Sequence, residues 1–191
     1  MTNTTGLIAV LDANVLYPAP IRDILLHLAD AKLFQPKWTD LIHDEWIRNL
    51  LINRPDIKSD SLKKARTAME SAFPDAHVSS YESLIDEITL PDVDDRHVLA
   101  AAIKSRATII VTNNVKDFPA KNLRSYHIMA MTADHFVKKL IMLDESRALN
   151  AFHSQVRNMK NPPLSANQVL ISLEKCRLTD SVSALKSLLK L

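Results

Sequence analysis

The stretch LPDVDDRHVLAAAIKSRATIIVTNNVKDFP, residues 90–119, decides the fold class. Acidic residues crowd the start of an alanine-rich segment, which predicts a helix because negative charge is favourable near a helix N-terminus. The run Thr108–Thr112 is rich in β-branched residues and predicts a strand. The polar residues that follow, up to Pro119, predict a loop. A helix that leads into a strand and a polar loop is typical of α/β folds.

The N-terminal part of the chain shows a matching strand. Residues 7–12, LIAVLD, form an apolar run that ends in a charge, which predicts a buried parallel strand with Asp12 at its carboxyl end. Apolar residues at helical spacing predict helices over residues 21–33 and 39–53. The second helix has one predicted apolar face, which is formed by Leu41, Ile42, Trp46, Leu50 and Leu51. HVSSY at residues 77–81 predicts a weak strand, and YHIMAM at residues 126–131 predicts a further strand.

Strands alternate with helices across residues 7–142, which predicts an α/β fold with a mainly parallel central sheet. No strand pattern follows residue 143. A break at Asn161-Pro162-Pro163 separates helical segments there. We therefore predict an α/β domain at residues 1–142 and a helical C-terminal extension at residues 143–191.

Composition excludes several classes of protein. The single glycine, Gly6, argues against glycine-rich phosphate and dinucleotide loops. The single cysteine, Cys176, argues against a disulfide framework or a cysteine zinc site and favours a cytoplasmic location. The net charge of +2 is too small to indicate a nucleic-acid partner. No membrane span or signal peptide is expected.

Acidic and amide side chains are predicted to meet at one edge of the sheet. Asp12 ends one strand, and Thr112 and Asn114 end another. Asp95 begins the helix before that second strand, and Glu45 lies in the first turns of an earlier helix. Open parallel sheets bind ligands at the carboxyl ends of their strands. The sequence therefore predicts a carboxylate site at this edge.

Such carboxylates need a cation or a proton, since two unit charges about 4 Å apart repel by roughly 4 kcal/mol at an effective dielectric constant near 20. Mg²⁺ and Mn²⁺ prefer oxygen ligands. A divalent ion held there would acidify water and polarise a phosphate, as phosphodiester hydrolysis requires. No cysteine or serine nucleophile signature points to another reaction.

Two stretches resemble a known family. VLDANVLYPAPIRDILLHLA, residues 10–29, resembles the opening of PIN domains. Residues 90–119 resemble the second half of PIN domains of the VapC toxin type, in a subgroup with an Asp-Asp-Arg-His run and an Asn-x-x-Asp-Phe-Pro loop. The resemblance covers residues 7–142. It implies a three-layer α/β/α sandwich and a ribonuclease dependent on Mg²⁺ or Mn²⁺. It also implies a toxin with an RNA substrate, a small antitoxin partner and a homodimer.

The resemblance also implies site residues. The family's acidic positions fall on Asp12, Glu45 and Asp95, as metal ligands and catalytic residues. Many members carry a fourth aspartate where this chain has Asn114, which adds no charge. We predict Asn114 as the fourth catalytic position and Asp117, three residues later, as a further metal ligand.

Substrate contacts are predicted for Asn14, Thr112 and Arg96, although Asn14 could instead cap a turn or hydrogen-bond Asp12, and Arg96 could pair with carboxylates. Asp44 competes with Glu45 for the acidic position, and Asp94 is explained by helix capping. Five basic residues are candidates for an RNA-facing set: Lys104, Arg106, Lys116, Lys121 and Arg124.

Two alternatives stay open. A haloacid-dehalogenase-like phosphatase also ends its first strand in aspartate, but it requires a second aspartate two residues later, where this chain has Asn14. A PIN-like scaffold that has lost its metal would bind RNA or protein without cleaving, and Asn114 keeps this alternative open. Trp38 and Trp46 are expected in the core.

Overall fold

The structure is a computed structural model that describes residues 6–160 and 162–191. The predicted start of the first domain at residue 1, and Asn161 of the predicted break, lie outside the described residues.

A four-stranded parallel sheet forms the centre, in the order β2-β1-β3-β4. Val10 of β1 aligns with Lys37 of β2 and Ile110 of β3, and Ile110 aligns with Ala130 of β4. Val10 and Ile110 are completely buried, as expected for strands covered on both faces. The strands are β1 Ile8–Leu11, β2 Gln35–Lys37, β3 Ile109–Val111 and β4 Met129–Met131.

Helices cover both faces of the sheet and continue into the C-terminal region. They are α1 Ala13–Leu16, α2 Ala19–Asp30, α3 Asp40–Asn53, α4 Ser59–Ala72, α5 Arg96–Ser105, α6 Ala120–Leu123, α7 Ala133–Leu143, α8 Glu145–Asn158, α9 Ala166–Lys175 and α10 Thr179–Leu189. Helix α5 packs on β1, β2 and β3, while α2 packs on β2 and α7. Because crossovers between parallel strands are right-handed, α2, between β1 and β2, and α5, between β2 and β3, lie on opposite faces of the sheet. The predicted α/β/α sandwich with a C-terminal helical region is confirmed.

Two strand predictions need correction. Strand β2 was not predicted, because Pro36 lies in its middle; proline is tolerated there since β2 is an edge strand. HVSSY does not form a strand, and His77 makes one isolated bridge with Trp38. Ser80 has a left-handed backbone, with φ of 58°, which ends any extended run.

The apolar face predicted for the second helix is only partly correct. Trp46 and Leu50 are buried, and Trp38 is also in the core, as predicted. Leu41 is instead 47% exposed. His43 takes the buried place, where its Nδ1 accepts a hydrogen bond of 3.0 Å from Trp46 Nε1. Burial lowers the pKa of His43 to about 4, so this imidazole is neutral at pH 7.

The C-terminal helices pack on the sandwich through α2 and α7. Helix α8 lies against α2, and α10 lies against α7. Phe152, Leu173 and Val182 bring their side chains into the same core. The division at residues 142 and 143 stays a prediction. No helix in the described parts of the chain is long and apolar enough to cross a membrane.

Candidate active site

The site lies where the sheet reverses its strand order. Strands β2 and β3 flank β1 on opposite sides, so the crossovers that leave β1 and enter β3 diverge and open a crevice at the carboxyl ends of these strands. A cavity of about 880 Å³ occupies this position. Its walls carry six carboxylates: Asp12, Asp44, Glu45, Asp92, Asp94 and Asp95.

Asp12 is fixed at the floor of the cavity. It follows β1 directly and is only 3% exposed. Its Oδ1 accepts a hydrogen bond of 2.6 Å from the Ala13 amide, and the residue caps α1. Its Oδ2 accepts from Asn14 Nδ2 at 2.6 Å and from Thr112 Oγ at 2.7 Å. These bonds hold the carboxylate in one orientation.

Thr112 and Asn14 tie the ends of β1 and β3 together. Asn14 Nδ2 also donates to Thr112 Oγ at 2.8 Å, and Asn14 Oδ1 accepts from the Asn113 amide at 2.9 Å. Thr112 is completely buried behind Asp12, whereas Asn14 lines the cavity. Both residues therefore orient Asp12 in this structure, and their predicted contacts with substrate stay predictions.

Glu45 and Asp44 differ in their neighbours, although both line the cavity. Arg66 of α4 donates to Asp44 Oδ1 at 3.1 Å and also contacts Asp40 and Glu70. Glu45 Oε2 instead lies 3.8 Å from His97 Nε2. Since burial lowers the pKa of His97, that imidazole is uncharged at pH 7. Asp44 therefore has a hydrogen-bonded cationic partner and Glu45 does not, which supports Glu45 as the ligand.

Asp95 occupies the N-cap position of α5 but makes no capping hydrogen bond with its side chain. The helix begins at Arg96, so the acidic residues that were expected in its first turn all precede it. This leaves the Asp95 carboxylate available to the cavity. An acidic side chain that caps nothing at a helix start is a candidate for ligand binding.

The fourth predicted position forms a pair. Asn114 Nδ2 donates to Asp117 Oδ2, and the Asn114 amide donates to Thr112 Oγ at 3.1 Å. Carboxylate oxygens of Asp92, Asp95 and Asp117 lie within 4.8 Å of one another and could share an ion. Asp12 and Glu45 do not belong to that group, although both line the same cavity as Asp95. Asp92 and Asp95 both line the cavity and so connect this group to Asp12 and Glu45.

Burial and mutual repulsion disfavour charge at these carboxylates. Burial, followed by the charge of Glu45, raises the pKa of Asp12 to about 6, against the lowering effect of its hydrogen bonds. Burial and the neighbouring Asp12, Asp92 and Asp117 raise the pKa of Asp95 to about 7. Burial and Asp95 also raise the pKa of Glu45. These carboxylates repel one another when they are ionised together, and a divalent cation would offset that repulsion. Their oxygen atoms suit Mg²⁺ or Mn²⁺, and Cys176, the single cysteine, does not line the cavity.

The structure brings most of the predicted site residues together. Asp12, Asn14, Glu45, Asp95 and Asn114 line the cavity, and Asp117 adjoins it. Arg96 does not line it, and its Nε is buried without a hydrogen-bond partner. The five basic candidates are exposed, and none lines the cavity; they are Lys104, Arg106, Lys116, Lys121 and Arg124.

Sequence reasoning missed several cavity residues. Leu41 and Arg48 share a face of α3 with Glu45, at helical spacing of four and three residues, so the spacing could have identified them. Asp92 and Asn113 lie close in sequence to predicted residues, and only their position in the fold places them in the wall.

Comparison with known proteins agrees with this architecture. Residues 9–116, more than half of the chain, match the family described as "PIN domain". The chain belongs to the PIN-domain family. Its matched range covers most of β1 and all of α3, α5 and β3, and it includes Asp12, Glu45 and Asp95. The predicted family is confirmed, and the haloacid-dehalogenase-like alternative finds no support.

A second match lies in the C-terminal part of this PIN-domain protein. Residues 133–187 match the family described as "VapC50 C-terminal domain". A curated relative, "Putative ribonuclease VapC50" of Mycobacterium tuberculosis (strain ATCC 25618 / H37Rv), is 33% identical over 109 residues. The match spans 57% of this chain and 64% of the relative, less than two thirds of that protein's length. These matches support the VapC-type assignment. No solved structure matches the chain significantly.

Proposed function

We propose that this protein is a metal-dependent endoribonuclease and the toxin of a type II toxin–antitoxin pair. The observation that carries the proposal is the convergence of Asp12, Glu45 and Asp95 on one acid-lined cavity at the switch point of the sheet. Groups whose pKa values are raised together in a cleft are typical of functional sites.

Mg²⁺ or Mn²⁺ would be held by Asp12, Glu45 and Asp95, with Asp117 as a further ligand. When bound, such an ion offsets the carboxylate charge, polarises a phosphate and makes water more acidic. The raised pKa values support this assignment, because the carboxylates repel one another without a cation.

The remaining side chains position the ligands. Thr112 and Asn14 hold Asp12 through hydrogen bonds to one oxygen, so the carboxylate does not rotate. Asn114 holds Asp117 by its amide and takes the fourth catalytic position. Neutral His97 beside Glu45 can accept a proton. In this proposal Asp12, Glu45 and Asp95 supply the negative charge that binds the metal, and the neighbouring side chains hold these carboxylates in place.

The partners follow from the same proposal. RNA is the substrate, and a small antitoxin protein binds the toxin and blocks the cavity. A homodimer and a cytoplasmic location stay predictions from the family pattern and from the single cysteine. The name of the relative and the match of residues 133–187 to the VapC50 C-terminal domain support the toxin assignment.

The first test is RNA cleavage by the purified wild-type protein and Asp12→Asn, each with Mg²⁺, Mn²⁺ or EDTA. We expect cleavage only by the wild type and only with a divalent ion, because the variant keeps the volume of the side chain and loses its charge. Equal cleavage by both proteins would reveal a contaminating nuclease and contradict the assignment.

A second test measures metal binding without activity. We expect Mn²⁺ to raise the melting temperature of the wild type and not of Asp95→Asn, since a ligand that binds only the folded state stabilises it. Absence of a shift in the wild type, together with absence of cleavage, would favour the metal-deficient scaffold and point to Asn114 as the reason.

A further inference from the structure

One cation faces the six carboxylates of the cavity. Among the described residues that line it, Arg48 is the side chain with a permanent positive charge. A polyanion that enters the cavity therefore meets one permanent positive charge among the described lining residues, that of Arg48.

Arg48 is placed by the helix that carries Glu45. Leu41, Asp44, Glu45 and Arg48 stand at helical spacing on the cavity face of α3, while Ile42, Trp46 and the rest of the opposite face are buried. Arg48 therefore lies one turn beyond Glu45 on the same face. If an RNA phosphate lies near Glu45, the next phosphate of the same strand can lie along this face of α3.

The guanidinium of Arg48 is available to bind a ligand. It is exposed, and within residues 6–160 and 162–191 it makes no hydrogen bond or ion pair; its interaction with Glu45 is only a charge effect at longer range. Arg66, one helix away, contrasts with it, because Asp40, Asp44 and Glu70 all contact that arginine. Asp44, which lies one helical turn before Arg48 on α3, is thus bound by Arg66 and not by Arg48.

We propose that Arg48 is a substrate-binding residue that contacts an RNA phosphate adjacent to the one that is cleaved. This rests on the proposed function. Arginine suits the task because its planar guanidinium donates two parallel hydrogen bonds to phosphate oxygens. The five exposed basic residues outside the cavity then contribute only general attraction.

The test separates binding from cleavage. RNA affinity is measured by fluorescence anisotropy in the Asp12→Asn background, over a series of KCl concentrations, with a labelled pool of random single-stranded RNA. Arg48→Ala is compared with Arg157→Ala, an exposed arginine on α8 whose Nη2 bonds only Ser154 Oγ. Arg48→Lys keeps the charge without the planar fork.

We expect Arg48→Ala to weaken binding by about tenfold and Arg157→Ala to leave it unchanged. The slope of log affinity against log salt should fall by about 0.7 for Arg48→Ala, the value for one phosphate contact on a single strand, and return in Arg48→Lys. Equal affinities and slopes in Arg48→Ala and Arg157→Ala would overturn the proposal, as would no RNA binding by the parent.

Failure of the proposed function gives a different pattern. If the wild type cleaves no RNA with any divalent ion while the salt slope still depends on Arg48, the protein is an RNA-binding scaffold and the assignment of Arg48 stands. If the wild type cleaves RNA and Arg48→Ala in the wild-type background leaves KM unchanged, the nuclease stands and the assignment of Arg48 fails.

Discussion

Two regions of the molecule use aspartate in opposite ways. At the junction of α7 and α10, Asp134 accepts hydrogen bonds from the amides of Ser181 and Asp180, at 2.8 and 3.0 Å, and from Ser181 Oγ at 2.6 Å. In the cavity, Asp95 meets other carboxylates, and its pKa rises to about 7. The first arrangement stabilises the fold. The second costs stability, which indicates a place kept for a ligand.

The largest effect on stability is expected in the core beneath the C-terminal helices. Phe152 of α8 is completely buried, and Phe152→Ala should lower the free energy of unfolding by about 3–5 kcal/mol, through lost burial and a residual cavity. Urea denaturation measures the change. Met142→Ala, at a side chain that is 73% exposed, is the control and should change stability by less than about 0.5 kcal/mol. Similar small losses in both variants would show that the extension packs loosely.

A smaller loss is expected at Asp134. Helix α10 has no side-chain cap from its own N-cap residue, so Asp134 supplies one from α7. Asp134→Ala should cost about 1–2 kcal/mol and speed amide hydrogen exchange at Ser181, while Asp134→Asn, which retains an acceptor oxygen, should cost less. Unchanged amide exchange at Ser181 in Asp134→Ala would show that Asp134 does not stabilise the start of α10.

In the cavity, removal of a carboxylate charge should stabilise the folded protein, whereas the loss of Asp134 should destabilise it. Because folding raises the pKa of Asp95 from its ordinary value of 3.8 to about 7, the folded state binds this proton more tightly than the unfolded chain. Its contribution is therefore lost as the pH rises from about 4 to about 7. In EDTA at about pH 8, Asp95→Asn should be more stable than the wild type by about 1 kcal/mol after allowance for screening by solvent.

The difference between wild type and Asp95→Asn should vanish at about pH 3, where Asp95 is protonated in both the folded and the unfolded state. Chemical denaturation across this pH range measures it. Asp60→Asn, at an exposed carboxylate on α4, should track the wild type. A variant that is less stable than the wild type at every pH would mean that the Asp95 charge is favourable in the folded protein.

The smallest effect is expected at Asn114. Asn114→Asp replaces the amide that donates to Asp117 with a second carboxylate, so it should destabilise the protein by about 0.5 kcal/mol in EDTA. It should also increase the rise in melting temperature on addition of Mn²⁺, because an acidic ligand is added. Thermal melts with and without Mn²⁺ test both parts. If Mn²⁺ raises the melting temperature of Asn114→Asp no more than that of the wild type, residue 114 does not contact the metal.

Much of the fold and part of the site could be predicted from local pattern. The apolar run before Asp12 and the β-branched run before Thr112 identified two neighbouring strands, and the parallel order followed from the helices between them. Strand β2 was missed because Pro36 contradicts strand propensity, and its place at the sheet edge removes the contradiction. Leu41 was assigned to the core from its apolar character, but the cavity leaves it exposed.

The sequence by itself determined the alternation of helices and strands and the carboxylates at the strand ends, since periodicity and propensity act over a few residues. Only the tertiary structure decided which carboxylates have a cationic partner at hydrogen-bond distance. Asp44 and Glu45 are neighbours in sequence, and Arg66 of another helix binds the first and not the second. Charge balance depends on distances between residues far apart in the chain, which the order of amino acids does not display.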